Sequence, residues 1–232
     1  MDFEEAVKYD PAKDGFWVSL GLSYRILKKY EEALSALQEA VGINPSDATA
    51  WLFLGKTYDA LHSYDQSLRC YKNATVNGPN DAEAWYELGH VTKNEDESIA
   101  AFSRAVSIKP DYVEAWTSLA LAFDTEKRYG DAIAAWKKRL ALKSNAAYLT
   151  DARAWWFIGG AYENQNDLKN AEQAYLEALR IEQALPNHTN NDNELIGNIF
   201  EALYLTYAKM GKHRESETYR KNFVWWEQNM PK

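Results

Sequence analysis

The sequence predicts an all-α fold made of stacked helix pairs, and three observations support this prediction. Prolines recur at intervals of 34, 34 and 31 residues, and tryptophans repeat at the same intervals before a fifth follows after 39. Each of these tryptophans begins a stripe at i, i+3 and i+7, the spacing of one helix face, and the stripe is apolar except for Thr92 in the third unit. A period of roughly 20 to 50 residues is typical of repeat proteins, in which no unit buries its apolar face alone. The prolines are Pro11, Pro45, Pro79 and Pro110, and the tryptophans are Trp17, Trp51, Trp85, Trp116 and Trp155.

The first segment, residues 1–13, precedes the first complete unit. Its residues Phe3, Ala6 and Pro11 match the end of a second helix of a repeat. We therefore expect an N-terminal half-repeat or a capping helix here. A chain that opens inside a repeat is also compatible with a fragment of a longer repeat protein.

Residues 14–185 hold five similar units, and the first two show the pattern most fully. Small residues lie where two helix backbones would approach closely, and a proline follows each second helix, which it cannot continue. The first unit carries Trp17, Leu20, Gly21, Tyr24, Ala33, Leu37, Ala40 and Pro45. The second carries Trp51, Leu54, Gly55, Tyr58, Ser67, Tyr71, Ala74 and Pro79. These residues resemble the tetratricopeptide repeat, a helix–turn–helix unit with the pattern W-x2-L-G-x2-Y, then A-x3-F, then P.

The next three units depart from this pattern in length or in one residue. The third lacks three residues between Gly89 and Ser98, and we expect the deletion in the turn between its helices, near 93–97. The fourth has Arg139 where a small residue is usual, and the fifth follows an insertion near 145–150. The repeated tryptophans fill the packing position of their units. We therefore expect them in the core, where truncation to alanine costs about 3–5 kcal/mol.

The C-terminal region is expected to contain a polar loop over 186–196 and a degenerate sixth repeat with a long capping helix over 197–232. Terminal repeats are often atypical because one face lacks a neighbour. We expect at least one of Trp225 and Trp226 to pack onto the sixth repeat. Adjacent helical residues point about 100° apart, so the two should be unequally buried. The motif positions of the sixth repeat are filled by Phe200, Leu203, Tyr207 and Ser216.

The resemblance to the tetratricopeptide repeat implies an all-α, right-handed superhelical solenoid of about six antiparallel helix pairs. In that family the first helices of successive repeats line a concave groove that holds peptides or partner helices. The implied groove positions follow the motif Trp, Gly or aromatic residue, or precede the Trp by two. The candidate peptide-binding residues are Arg25, Lys56, Tyr86, His90, Lys93 and Trp156. The other groove positions include Val18, Leu22, Leu52, Asp59, Glu83, Glu114, Thr117, Leu121, Asp124, Arg153, Gly160 and Glu163.

Basic side chains lie in the first three units of this groove and acidic ones in the later units, which predicts a ligand with an acidic end and a basic end. Some family members hold chaperone C-termini with a clamp of Lys, Asn and Arg side chains. The clamp positions are occupied here by Val18, Leu22, Lys56, Tyr86 and His90, so we expect no chaperone carboxylate clamp.

Composition excludes several classes of function. The net charge of −8 and pI of about 5.1 disfavour nucleic acid as a partner. Cys70 is the single cysteine, so no internal disulfide or cysteine-based metal site is expected. No apolar stretch reaches the ~20 residues that span a bilayer, and we expect a cytoplasmic protein without membrane insertion. The histidines lie in different repeats and no catalytic motif is present, so we expect no enzyme, metal or cofactor. A basic run, Lys137 to Arg139, is expected to be a solvated helix face.

Three functions remain open from the sequence. The leading one is a non-enzymatic scaffold, a monomer or weak oligomer, that binds a peptide or helix of another protein in its groove. The second is a self-assembly module driven by end faces or exposed aromatic residues. The third is the regulatory repeat region of a larger enzyme.

Overall fold

The computed structural model describes residues 3–142, 150–184 and 190–229. Within these ranges it contains thirteen α-helices and no strand, which confirms the all-α class. A single helix, α1 (Phe3–Tyr9), precedes six helix pairs. The pairs are α2 (Asp14–Ile26) with α3 (Tyr30–Ile43), α4 (Ala48–Ala60) with α5 (Tyr64–Asn77), α6 (Ala82–Val91) with α7 (Glu95–Ile108), α8 (Val113–Thr125) with α9 (Tyr129–Ala141), α10 (Asp151–Asn164) with α11 (Leu168–Gln183), and α12 (Asn190–Lys209) with α13 (His213–Asn229).

The chain divides inside α8 into two compact units, residues 1–115 (unit 1) and 116–232 (unit 2). In unit 1, α1 packs on α2, and each second helix packs on the first helix of the next pair, α3 on α4 and α5 on α6. In unit 2, α9 packs on α10 and α11 packs on α12 in the same way. The insertion that the sequence places near 145–150 lies almost wholly outside the described residues.

The turns inside the six pairs all have the same length of three residues, which folds each second helix back along the first. In five of them the middle residue adopts a left-handed backbone with φ between 57° and 72°. Glycine adopts this conformation without a steric penalty, whereas other residues do so at a cost. The five residues are Lys28, His62, Lys127, Asn166 and Gly211.

The three-residue deletion in the third unit shortens a helix and leaves the turn at its full length. Helix α6 has 10 residues, whereas α2 and α4 have 13 each. The turn over 92–94 keeps three residues, and the Asn94 side chain caps α7 by accepting a hydrogen bond from the Glu97 amide at 2.8 Å. The expectation of a shortened turn was therefore wrong, because a reversal needs its connecting residues whereas a helix can lose its last turn.

The motif glycines lie against the second helix of their own repeat. A Cβ atom added to Gly21, Gly55, Gly89 or Gly159 would come within 2.4–2.6 Å of a side-chain carbon of Leu37, Tyr71, Phe102 or Tyr175, respectively. Only a residue without a side chain allows this approach. Because the partner is always the residue in the A-x3-F position, the two halves of the motif contact each other directly.

The motif tryptophans are half-buried: Trp17, Trp51, Trp85 and Trp155 pack against the buried core clusters without being enclosed by them, so the expectation of core residues holds only in part. In the first three repeats the indole Nε1–H donates to the proline carbonyl six residues earlier, at 2.7–3.0 Å. The bonds are Trp17 to Pro11, Trp51 to Pro45 and Trp85 to Pro79. This bond explains the constant spacing of proline and tryptophan. Tryptophan is seldom fully buried because it is large and carries a polar N–H group.

Two expectations for unit 2 need correction. Helix α12 begins at Asn190, so the loop expected over 186–196 extends too far, because Leu195, Ile199 and Leu203 already form a buried helical stripe. Arg139 is buried at 2% exposure and pairs with Asp151, so the basic run is not wholly a solvated face. The helix periodicity carries Arg139 toward α10 while Lys137 and Lys138 stay exposed.

The final helix packs through one of its two adjacent tryptophans. The Trp226 ring lies against Gly197 of α12, where an added Cβ would come within 2.6 Å of three ring carbons. Trp225 is 60% exposed. The two residues are thus unequally buried, as helix geometry predicts.

Candidate functional site

We call the groove positions carried by the first helices the first-helix face; unit 1 and unit 2 each carry a part of it. In unit 1 the face begins with Arg25 at the end of α2. Its Nη1 donates to the Phe53 carbonyl at 3.4 Å and to the Thr57 hydroxyl at 3.2 Å, and the guanidinium lies 5.9 Å from the Phe53 ring centre. Burial lowers the pKa of Arg25 below its ordinary value. The side chain is therefore held by neutral groups of α4.

Lys56 is neutralised within the protein. Its Nζ pairs with Glu83 and, at 3.0 Å, with Glu87, two carboxylates of α6. Burial lowers the pKa of Lys56, but the bonds to the two glutamates outweigh it and hold the pKa above its ordinary value. The basic character that the sequence assigns to this part of the face is thus offset by carboxylates that lie on the same face.

Tyr86 and His90 lie one helical turn apart on α6 and belong to an aromatic cluster. Their ring centres are 4.5 Å apart, and the Tyr86 ring also lies 4.9 Å from Tyr112. Phe102 of α7 contacts both rings, at 5.9 Å from Tyr86 and 5.0 Å from His90. His90 is exposed on one side, yet these contacts desolvate the ring and lower its pKa below the ordinary value. The structure therefore brings these two predicted residues together.

Lys93 lies apart from the other candidates of unit 1. Because α6 ends at Val91, this residue falls in the turn rather than on the helix. Its Nζ lies 3.4 Å from the Asp65 carboxylate at the start of α5, and both side chains are largely exposed. The deletion moved this position off the helix, so His90 is the last residue of the face on α6.

In unit 2 a pocket of about 270 Å³ gathers three predicted positions, Asp124, Trp156 and Gly160. Asp124 comes from the end of α8, and the other two from successive turns of α10. The remaining walls are supplied by Thr125, Lys127, Tyr129, Phe157, Ala161 and Asn164. We call this cavity the Trp156 pocket.

The aromatic side of the Trp156 pocket is a stack. The Phe157 ring lies parallel to Trp136 at 5.0 Å and edge-on to Trp156 at 5.1 Å. The Trp156 Nε1 atom is buried and has no hydrogen-bond acceptor among the described residues. A buried donor without a partner costs free energy.

Three carboxylates of the first-helix face accept a hydrogen bond from a buried aromatic side chain twelve residues later. Tyr71 donates to Asp59 at 2.5 Å, Trp136 to Asp124 at 3.2 Å, and Tyr175 to Glu163 at 2.9 Å. Burial, together with the bonds to Asp59 and Glu163, raises the pKa of Tyr71 and Tyr175. Burial also raises the pKa of Asp124, against the lowering effect of its bond to Trp136.

Sequence reasoning missed these pairs although a signal was present. The A-x3-F position usually holds phenylalanine, which has no polar atom. Here it holds Tyr71, Trp136 and Tyr175, each twelve residues after an acid. A buried tyrosine or tryptophan needs an acceptor for its O–H or N–H group. The acid supplies this acceptor, because it lies on the first helix one turn after the glycine or alanine that faces the aromatic ring. The third repeat, with Phe102 and His90 at these positions, has neither group.

Several other predicted groove positions are occupied by packed side chains. The residues directly after the motif tryptophans are buried in three repeats, namely Val18, Leu52 and Thr117. In the third and fifth repeats the same position holds Tyr86 and Trp156, which are half-exposed. The position after the tryptophan is therefore accessible only where it carries a large aromatic residue.

The described residues offer no further site of the kinds that hold a metal ion, react through a thiol or cross a membrane. No three His, Cys, Asp or Glu side chains in the described ranges are placed to hold a metal ion. Cys70 is buried, and burial raises the pKa of its thiol to about 12. None of the helices described above is both long and apolar enough to cross a membrane.

Three sequence models of the tetratricopeptide repeat match residues 25–88, 94–147 and 152–185, which together make up well over half of the chain. The chain belongs to the tetratricopeptide repeat family. Members of this family are typically non-enzymatic protein–protein interaction scaffolds. No curated protein matches the sequence.

Solved structures of other tetratricopeptide repeat proteins share this fold. The MamA protein is 24% identical, with a TM-score of 0.67 over 76% of this chain and 98% of its own. YrrB, described as a TPR protein with an unusual peptide-binding site, is 18% identical, with a TM-score of 0.70 over 79% of this chain and 94% of its own. The C-terminal part of a TPR repeat-containing protein from Cytophaga hutchinsonii is 14% identical, with a TM-score of 0.76 over 98% of this chain and 89% of its own. At these identities the likeness concerns the fold alone.

Proposed function

We propose that this protein is a scaffold that binds a peptide segment or helix of another protein on its first-helix face. The observation that carries the proposal is the Trp156 pocket, in which Asp124, Trp156 and Gly160 converge from two first helices. A large, half-exposed aromatic residue beside a helical glycine offers contact area together with room for an incoming side chain. Such aromatic residues dominate the binding energy of many interfaces.

Unit 1 supplies further candidate contacts for the same function. Tyr86 and His90 present a partly exposed aromatic surface on α6. Arg25, Lys56 and Lys93 are each bonded within the protein, so a ligand would exchange existing bonds at these residues rather than meet unpaired charges. We therefore place Tyr86 and His90 ahead of the three basic residues as binding contacts in unit 1.

The test is selection of a random peptide library on the whole chain, followed by binding measurements with two blocking variants. Gly160→Leu fills the Trp156 pocket, and because a Cβ there would meet only the Tyr175 hydroxyl at 3.7 Å, it should fold normally. Tyr86→Ala removes the aromatic contact of unit 1. We expect selected peptides to bind at least about tenfold more weakly to one or both variants. A tenfold loss of affinity corresponds to about 1.4 kcal/mol, which is typical of the removal of a hot-spot contact.

Matched controls place the same changes away from the first-helix face. Gly42→Leu introduces leucine at an exposed glycine of α3 with no atom within 4 Å of its added Cβ. Tyr64→Ala removes a 54% exposed tyrosine at the start of α5, a second helix. Peptides whose binding is equal in all four variants, or a selection that enriches no peptide, would refute binding at the first-helix face.

A self-assembly role has one observation in its favour. Trp225 is 60% exposed on α13 and lines an open pocket with Val224, Arg220, Lys221 and Gln228. An exposed tryptophan beside a second apolar residue is a surface type that associates. Light scattering over a range of protein concentrations distinguishes this role from the scaffold. Self-assembly through Trp225 makes the apparent molecular mass of the wild type rise with concentration, whereas the mass of Trp225→Ser stays constant.

A further inference from the structure

We propose that the Trp156 pocket recognises an arginine side chain of the bound segment. The inference rests on the proposed function and adds the chemistry of the ligand to it. Three features of the pocket carry it: a carboxylate with no cationic partner among the described residues, an aromatic wall over which none of these residues places a cation, and space for a single long side chain.

The carboxylate is Asp124. It is half-buried, and its side-chain partner in the described ranges is the neutral indole N–H of Trp136. No ion pair of Asp124 exists among the described residues, although Glu163 on the same unit pairs with Lys209 and Asp151 with Arg139. A partly desolvated carboxylate without a cation is a favourable partner for a cationic ligand group, because the ligand restores the interactions that burial removed.

The aromatic wall is formed by Trp156 and Phe157. Other aromatic faces of unit 2 already carry a cation of the protein: Arg128 lies 4.6 Å from the Phe123 ring centre, and Lys137 lies 5.5 Å from that of Tyr162. In the described part of the chain no cation lies over Trp156 or Phe157. Tryptophan attracts cations more strongly than any other aromatic side chain, and the planar guanidinium of arginine also stacks on aromatic rings.

The size of the pocket fits one side chain. Its volume of about 270 Å³ is below the roughly 300–1,000 Å³ of pockets that enclose drug-sized ligands. Gly160 contributes to the open space because it has no side chain and its nearest neighbour beyond its own helix, the Tyr175 hydroxyl, would be 3.7 Å from a Cβ atom.

Arginine is preferred to lysine on geometric grounds. A guanidinium can stack on the indole and at the same time donate two parallel N–H bonds to Asp124, whereas an ammonium offers a single charged point. Lys127 also lines the pocket, but its side chain is exposed, so water and salt screen its repulsion of a ligand cation.

The experiment begins with library peptides that bind the whole chain but not Gly160→Leu. Each peptide is remade with citrulline, the uncharged analogue of arginine, at each arginine position. We expect one position at which this change weakens binding about tenfold, the order of one cation–π contact combined with one partly exposed ion pair. Replacement by lysine at that position should weaken binding less than citrulline does, but still measurably.

The protein side is tested with Asp124→Asn, which keeps an oxygen that can accept the Trp136 bond. This variant should lose the ion-pair share of that factor for the arginine peptide and almost nothing for the citrulline peptide, the coupling expected when two groups contact each other. Equal binding of arginine and citrulline peptides, or of arginine and lysine peptides, overturns the inference. If pocket-dependent peptides exist but share no arginine, the inference fails while the proposed function stands. If no selected peptide depends on Gly160 or Tyr86, both fail.

Discussion

At the scale of single residues, the acid–aromatic pairs decide which carboxylates of the first-helix face are held in place. Tyr71 and Tyr175 each place a hydroxyl on an acid of the preceding helix, so Asp59 and Glu163 keep fixed positions. Hydrogen bonds to charged groups contribute about 1.5–3 kcal/mol. Asp124 differs from these two acids because its partner is an indole N–H at the longer distance of 3.2 Å.

We predict that Asp124→Asn raises the free energy of unfolding at neutral pH. Burial raises the folded-state pKa of Asp124, so between its unfolded and folded pKa values the native state binds the proton more tightly than the unfolded state. The contribution of Asp124 to the free energy of unfolding therefore falls as the pH rises from the unfolded-state pKa to the folded-state pKa. Above the folded-state pKa the ionised carboxylate destabilises the protein. Asparagine removes the charge while keeping an acceptor for Trp136.

Urea unfolding of the two proteins over a series of pH values measures this effect. The difference between variant and wild type should be largest near neutral pH and should shrink as the pH falls toward about 3.9, the ordinary aspartate value. A variant that is less stable than the wild type at pH 7 would show that the carboxylate is stabilising there. A gain in stability combined with a loss of binding to arginine peptides is the pattern expected of a functional group.

At the scale of helices and turns, the repeat is built from a fixed three-residue turn. Five such turns carry a left-handed residue, yet only the last uses glycine; the others use Lys28, His62, Lys127 and Asn166. Non-glycine residues in this conformation cost roughly 1–2 kcal/mol. The turn geometry is therefore imposed by the packing of the two helices, which outweighs the local preference of the residue.

We predict that Gly211→Ala lowers the free energy of unfolding by about 1 kcal/mol, the cost of a left-handed alanine. No atom lies within 4 Å of a Cβ added at this position, so the backbone at φ of +72° is the only cause. Gly42→Ala is the control, because it lies in α3, also has open space, and should be neutral or stabilising by up to about 1 kcal/mol. Thermal and urea unfolding give both values, and an unchanged Gly211→Ala would contradict the left-handed turn.

At the scale of the whole molecule, the two ends of the described chain are covered by the single helix α1 and by α13, the second helix of the sixth pair. Helix α1 places Val7 with Leu20 and Ala36 in one buried cluster, and Tyr24 donates to Glu4 at 2.7 Å. At the other end, α13 places Trp226 on Gly197 of α12. Nearest-neighbour contacts supply most of the stability of a repeat protein, so such end contacts contribute a large share of it.

We predict that Trp226→Ala lowers the melting temperature, with a loss of about 1.5–3 kcal/mol for one large apolar contact. Removal of residues 223–232 should lower it further, because Phe223, stacked on Trp226 at 6.1 Å, is lost too. Trp225→Ala is the matched control, and since Trp225 is 60% exposed its effect should stay within about 0.5 kcal/mol. If Trp225→Ala proved the more damaging of the two, the packing of α13 described here would be incorrect.

The sequence by itself determined the repeat. The spacing of proline, tryptophan and small residues predicts the helix pairs, the number of repeats and the family, because all of these depend on contacts within about 35 residues that recur at a fixed period. It also predicted Asp124, Trp156 and Gly160 as positions of one face. These features are local, and a periodic pattern records them directly.

The tertiary structure alone decided which side chains meet. Lys56 is neutralised by Glu83 and Glu87, Arg139 is buried against Asp151, and Asp124 is bonded to the indole of Trp136. Each of these contacts joins different helices, and its existence depends on the distance between helix axes and on the side-chain rotamers. A charge pattern read along the chain contains neither quantity. It therefore overstated the basic character of unit 1, and although it predicted acidic side chains in the later units, it did not show that Asp124 lacks a cationic partner among the described residues.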